Sequence, residues 1–158
     1  EDLHEYVETD ANTRVVEADG DYIELWNSPT ASDPSWQELE DFLSEDSTDL
    51  IIYNEYLFVC ADFAERLHNN AEEAGIRAAY VHLEFVDESA GHALNAFNTT
   101  DRGLVYIDDT GTEDFFPCSA DKIVTLEVGQ EYVPESLFPC FGYSSMWESL
   151  GVVSSFSP

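Results

Sequence analysis

The chain has 158 residues, enough for one domain with a core of its own, and 44% of them are hydrophobic. It carries 34 acids against 5 bases, a formal charge of −29, which repels nucleic acid and anionic membrane surfaces and excludes both as expected partners. No apolar run approaches the length of a membrane span, so this segment is not expected to insert into a membrane.

In chain order, TRVVEADGDYIELW predicts two short strands joined at Asp19-Gly20, a dipeptide suited to a hairpin turn. ASDPSWQELEDFLSED predicts a helix, with Asp33 as its cap and Pro34 at the first helical position. Trp36, Leu39, Phe42 and Leu43 make its apolar face. DLIIYNEYLFV is an apolar, aromatic connection. From Cys60 to Ala74 the period is helical, with Cys60, Phe63, Ala64, Leu67, Ala71 and Ala74 on one face and Gly75 placed for a left-handed cap. IRAAYVHLEF alternates, with Ala79, Val81, Leu83 and Phe85 on one side and Tyr80, His82 and Glu84 on the other. GHALNAFN and GLVYID predict an antiparallel hairpin across the turn TTDR, and KIVTLEV a fourth strand. The aromatic, serine-rich tail after Pro134 gives no assignment. With no internal repeat or linker, residues 1–158 read as a single α+β domain.

Three cysteines are present. Cys118 and Cys140 sit in the similar contexts FFPC and LFPC, and pairing them leaves Cys60 as the odd thiol. The competing reading is two unpaired, buried cysteines. A disulfide would place the chain in an oxidising compartment. Cys60 heads its helix, where unpaired backbone N–H groups and the helix dipole favour the reactive thiolate. Asp62, in the first turn, opposes the thiolate if it points at the sulfur and otherwise only complements the dipole. The hairpin register sets His92 opposite Asp108, Asp109 or Thr110, close enough for a carboxylate to fix the imidazole tautomer. Register alone does not choose between the aspartates. His68 and His82 read as structural.

The order of a helix-heading cysteine in VCADFAERLHNNAEEAGIRAAYV, a strand histidine in GHALNAF and an aspartate in GLVYIDDTG resembles the transglutaminase-like superfamily, within the papain-like cysteine-enzyme fold. The resemblance covers roughly residues 50–112, with spacings of 32 and 16 residues between the three positions. It implies a Cys-headed helix packed on an antiparallel sheet, with Cys60 as nucleophile and His92 as base. Asp108 matches the aspartate of an Asp-Pro-Thr pattern, and Asp109 takes the proline position. Ala61 and Leu94 stand where members often carry tryptophan, which changes the walls around the thiol.

The implied function is acyl transfer on peptide or glutamine-type amide bonds, hydrolysis being favoured because nothing marks an amine-binding site. The partner is then a protein or peptide substrate. The Cys60 N–H is the natural first oxyanion donor, and Asn54, Tyr53 or Tyr56 of YNEY the second. Asn95 either orients His92 or satisfies a strand edge. A non-catalytic binding module of a cell-envelope or extracellular assembly is the alternative.

The acids are spread along the chain, which favours a solvated, salt-tolerant surface over cation binding or mimicry of nucleic acid towards a basic partner. DDTGTED (108–114) is dense in oxygen ligands but lacks the EF-hand spacing, so neither a metal nor a cofactor is expected. A start at Glu1 without methionine predicts that an upstream segment, such as a signal peptide or lipid-anchor segment, is removed. The expected location is extracytoplasmic or at the cell envelope, with the cytoplasm of a salt-adapted organism as the alternative.

Overall fold

The computed structural model describes residues 16–88 and 90–157. Their architecture is α+β. Helices α1 (Trp36–Glu45) and α2 (Cys60–Glu73) accompany strands β1 (Ala79–Phe85), β2 (His92–Thr99), β3 (Gly103–Asp108), β4 (Lys122–Val124), β5 (Glu135–Ser136) and β6 (Val153–Ser157). Among the described residues the strands form one sheet in the order β5-β4-β3-β2-β1-β6. Every neighbouring pair is antiparallel.

The expected hairpin is present: Asn95 faces Ile107, and Thr99 faces Gly103 across the turn. The cap of α1 is Ser35 rather than Asp33. Ser35 accepts from the Glu38 N–H and Glu38 reaches back to the Ser35 N–H, the reciprocal box that S-x-x-E encodes. Pro34 therefore lies outside the helix, not at its first position. The fourth strand stops at Val124, which pairs with Tyr106, and the chain then turns at Gly129. The unassigned tail supplies β5 and β6, and β6 closes the sheet beside β1. Near the N-terminus, the predicted hairpin reduces to a single bridge, Val16 to Tyr22, around a turn with Gly20 at φ +91. Residues 13–15 of its first strand lie outside the described residues.

Both helices lie on one face of the sheet. Trp36, Leu39 and Leu43 of α1 and Leu67 and Ala71 of α2 bury Ala78, Phe97 and Ile107. Tyr80, expected on the polar side of β1, is buried between Ala64 and Ala93 because α2 packs over that side. The opposite face gathers Ala79, Val81, Leu83, Phe85, Leu94 and Ala96 under Val124 and Tyr132. Thus β1 is covered on both faces at its start, while Glu84 nearer its end is exposed.

The segment before α1 grips α2 through side chains. Backbone N–H groups of Ala18, Glu24, Trp26 and Ser28 donate to Asp62, Glu65, Asn69 and Glu72, four positions that lie along one side of the helix. Glu72 is fully buried and also accepts from the Ala78 N–H, so one carboxylate ties the helix to two other segments.

Candidate active site

His92 opens β2 and Asp108 closes the antiparallel β3, so both stand at the same end of the sheet. Cys60, the first residue of α2, meets them there. Gly91 lets the chain approach closely before His92: a Cβ at this position would lie 2.6 Å from the Leu83 carbonyl oxygen. Gly111 does the same after Asp108, where a Cβ would collide with the Ile51 carbonyl. The adjoining bond from the Tyr53 N–H to the Thr112 carbonyl, 2.8 Å, fastens the connection before Cys60 to the loop after Asp108.

The side chains form a continuous polar row. His92 Nε2 lies 2.8 Å from Asp108 Oδ2. The Cys60 side chain lies close enough to His92 to raise the pKa of the ring; with Nε2 engaged by Asp108, Nδ1 is the ring atom left to face it. Asp108 Oδ2 also accepts from the Tyr132 hydroxyl at 2.7 Å, and Oδ1 from the Thr110 N–H at 2.9 Å. Three donors thus fix the carboxylate, and the structure selects Asp108 over Asp109 as the partner of His92. Phe85 and Tyr132 flank the imidazole, with ring centroids 6.5 and 5.3 Å away. His92 and Asp108 are buried, whereas Cys60 is partly exposed.

Burial disfavours the charged forms of both groups, but their mutual attraction outweighs it. For His92, Asp108 and the Cys60 sulfur push the pKa up to about 10. For Asp108, the His92 and Lys122 charges and the bonds from His92 and Tyr132 hold the carboxyl well below the usual range. The Tyr53 hydroxyl is pushed up by burial and by the nearby Cys60 sulfur, so it stays protonated and able to donate.

Asp62 turns away from the sulfur question: its Oδ2 accepts from the Val59 N–H at 2.9 Å and the Ala18 N–H at 3.0 Å, closing the helix start. Asn54 Oδ1 accepts from the Tyr56 N–H within its own turn, and Tyr56 is 76% exposed. Of the three YNEY candidates, Tyr53 is the one whose hydroxyl feels the Cys60 charge. Asn95 neither orients His92 nor serves a strand edge. Its Nδ2 donates to the Ala64 carbonyl at 2.9 Å and joins the cysteine-bearing helix to the histidine-bearing strand. His68 bonds Asn27 and His82 bonds Glu84, as structural residues do. Cys118 and Cys140 form a disulfide. Tyr132 carries no signal of its role in the sequence; it lies between β4 and β5, where no periodicity announces its return to β3.

A cavity of about 570 Å³ lies beside Cys118, lined in part by Asp49, Phe116, Ser119, Asp121 and Phe138. Cys60 and His92 do not line it. Among the described residues no helix is long and apolar enough to cross a membrane. The sequence matches no known family model, and no curated protein or solved structure is significantly similar to it.

Proposed function

We propose that the chain is a thiol acyl-transfer enzyme of the transglutaminase-like, papain-like kind, acting on peptide or glutamine-type amides. The observation that carries this reading is the buried His92–Asp108 pair, its carboxylate fixed by three donors, beside a partly exposed Cys60 at the head of its helix. With the proton they share held on His92, the Cys60 sulfur attacks the carbonyl carbon. The oxyanion is met by the Cys60 N–H, which has no acceptor within its own helix, and by the Tyr53 hydroxyl. Collapse breaks the C–N bond, His92 returns the proton to the departing amine, and a thioester remains. Water then attacks the thioester, giving its proton to His92, which passes it to the sulfur as the acid leaves. An amine in place of water gives transamidation; hydrolysis is favoured because no amine site is evident. The Cys118–Cys140 disulfide supports an oxidising, extracytoplasmic location.

The exposed apolar residues Tyr56 and Leu57, 76% and 74% accessible, suit a peptide ligand. They also favour a second reading, a binding module of the same fold without turnover. Alkylation separates the two. At pH 6, iodoacetamide should label Cys60 roughly tenfold faster than glutathione, and His92→Ala should remove the advantage. A glutamine peptide should then release ammonia without amine incorporation. Labelling at the rate of an ordinary thiol, unchanged in His92→Ala, leaves only the binding module.

A further inference from the structure

We propose that Asp49, Asp109 and Asp121 bind one divalent cation of calcium type, which joins the segment before Cys60 to the chain on either side of the β3–β4 connection. The inference is independent of the enzymatic reading. Asp49 comes from a 3₁₀ turn (Thr48–Leu50), Asp109 directly follows β3, and Asp121 directly precedes β4. Each is at least nine-tenths buried, and one carboxylate oxygen from each lies within 4.8 Å of the others. That span fits oxygens on a single calcium ion, each about 2.4 Å from the metal. An all-oxygen set selects calcium or magnesium over softer metals.

The second observation is what these oxygens lack. Asp109 is 2% exposed, and neither of its oxygens meets a donor; Asp121 Oδ1 is in the same position. The Asp109 carboxylate can bond to that of Asp121 only if one of them holds a proton. Ser119 Oγ lies 3.0 Å from Asp49 Oδ2 and 2.8 Å from Asp121 Oδ2, but its single proton serves one of them at a time. The Ala120 N–H supplies Asp49 Oδ2. Lys122 sends its ammonium elsewhere, to the Thr110 and Ala120 carbonyls at 2.7 and 2.6 Å and over the Trp147 ring at 4.4 Å.

Three carboxylates beside one ammonium leave two negative charges uncompensated in a buried space, where isolated charge is costly. Asp108 adds none to this count because His92 balances it. A divalent cation closes the deficit and gives the bare Asp109 oxygens a partner. Without it, protons must do so: burial first, then Asp121 and Asp49, raise Asp109 well above the ordinary range, and Asp121 is pushed up to about 6. Asp49 is raised too, by burial and by Asp46 among its charged neighbours. Asp49 and Asp121 also line the 570 Å³ cavity, which offers the ion a route in.

The test uses the full chain, stripped with EDTA and transferred to 0.5 M KCl, which screens loose binding to surface acids. Calcium chloride is titrated calorimetrically at pH 7.5. The expected result is one saturable site, a rise in Tm of roughly 5–10 °C at saturation, and loss of both in Asp109→Asn and Asp121→Asn. The exposed-site control Glu88→Gln should behave as the unaltered chain. Asp109→Asn is isosteric and removes repulsion, so it should fold. The proposal is overturned if calcium leaves Tm unchanged, or if Asp109→Asn binds calcium with the same stoichiometry and affinity as the unaltered protein.

Discussion

Asp108 and Asp109 are chain neighbours whose side chains meet opposite environments. Asp108 faces an imidazole, a phenol and a backbone N–H; Asp109 faces two more carboxylates. The first is therefore held ionised and the second pushed toward its neutral form. The His92–Asp108 pair has a pH signature that follows from its signs. His92 is raised from 6.5 to about 10, so its contribution to stability is fully present below pH 6.5 and is lost as pH rises toward 10. Asp108 is lowered from 3.8, so its contribution is present above pH 3.8 and is lost only as pH falls through its depressed folded value. Both are complete between those ordinary values. Urea denaturation of the unaltered chain and of His92→Gln should thus differ most near pH 5–6.5. The difference should shrink by at least about 2 kcal/mol by pH 10, since each pKa unit is worth about 1.4 kcal/mol. A difference that stays constant from pH 6 to 10 would mean that the imidazole is not held in its charged form.

At the level of elements, α2 is held by side-chain acceptors rather than by strand pairing, with Glu72 at the centre. Glu72→Ala strands the buried Ser28 and Ala78 N–H groups, and each unsatisfied donor costs about 1–3 kcal/mol. Chemical denaturation should show a loss of about 2–5 kcal/mol for Glu72→Ala and a smaller one for Glu72→Gln, which keeps one oxygen acceptor. Equal losses in the two variants would mean that packing, not the paired acceptance, sets the cost. The helix itself was legible because its apolar residues recur at helical spacing and Gly75 ends it. The β2–β3 hairpin was legible because a short turn bounds its register, here three residues between Thr99 and Gly103, which is why His92 and its acidic neighbours could be brought together from sequence. What fixed the choice of Asp108 was not local: the Tyr132 hydroxyl arrives from 24 residues downstream. Strand β6 was hidden for the same reason, since its partner β1 lies far back in the chain and no turn announces the pairing. Asp33 suits a cap by residue type, but the reciprocal contact between Ser35 and Glu38 sets the helix start two residues later. The Asp49–Asp109–Asp121 cluster has no motif because three separated segments assemble it.

Over the whole molecule, a formal charge of −29 on 158 residues makes self-repulsion a property of the fold rather than of any one pair. Two like charges about 10 Å apart in water repel by roughly 0.4 kcal/mol, small singly but repeated across a surface where acids outnumber bases 34 to 5. Glu65 shows the local form: burial first, then the charges of Glu17 and Asp62, push it up to about 7 despite the bond from the Glu24 N–H. The unfolded chain carries the same charges farther apart, so repulsion lowers the stability of the compact state. The Debye length shrinks from about 10 Å at 0.1 M salt to about 3 Å at 1 M, which removes most pairwise terms beyond contact distance. In EDTA, so that divalent ions play no part, Tm should therefore climb steeply as KCl rises from 0.05 to 1 M and then flatten. The shape distinguishes the cause, because exclusion of salt from apolar surface continues to stabilise at higher concentration, whereas screening saturates. A Tm that is flat or falling over the first interval would show that the acids are too dispersed to burden the fold, and that their number serves solubility alone.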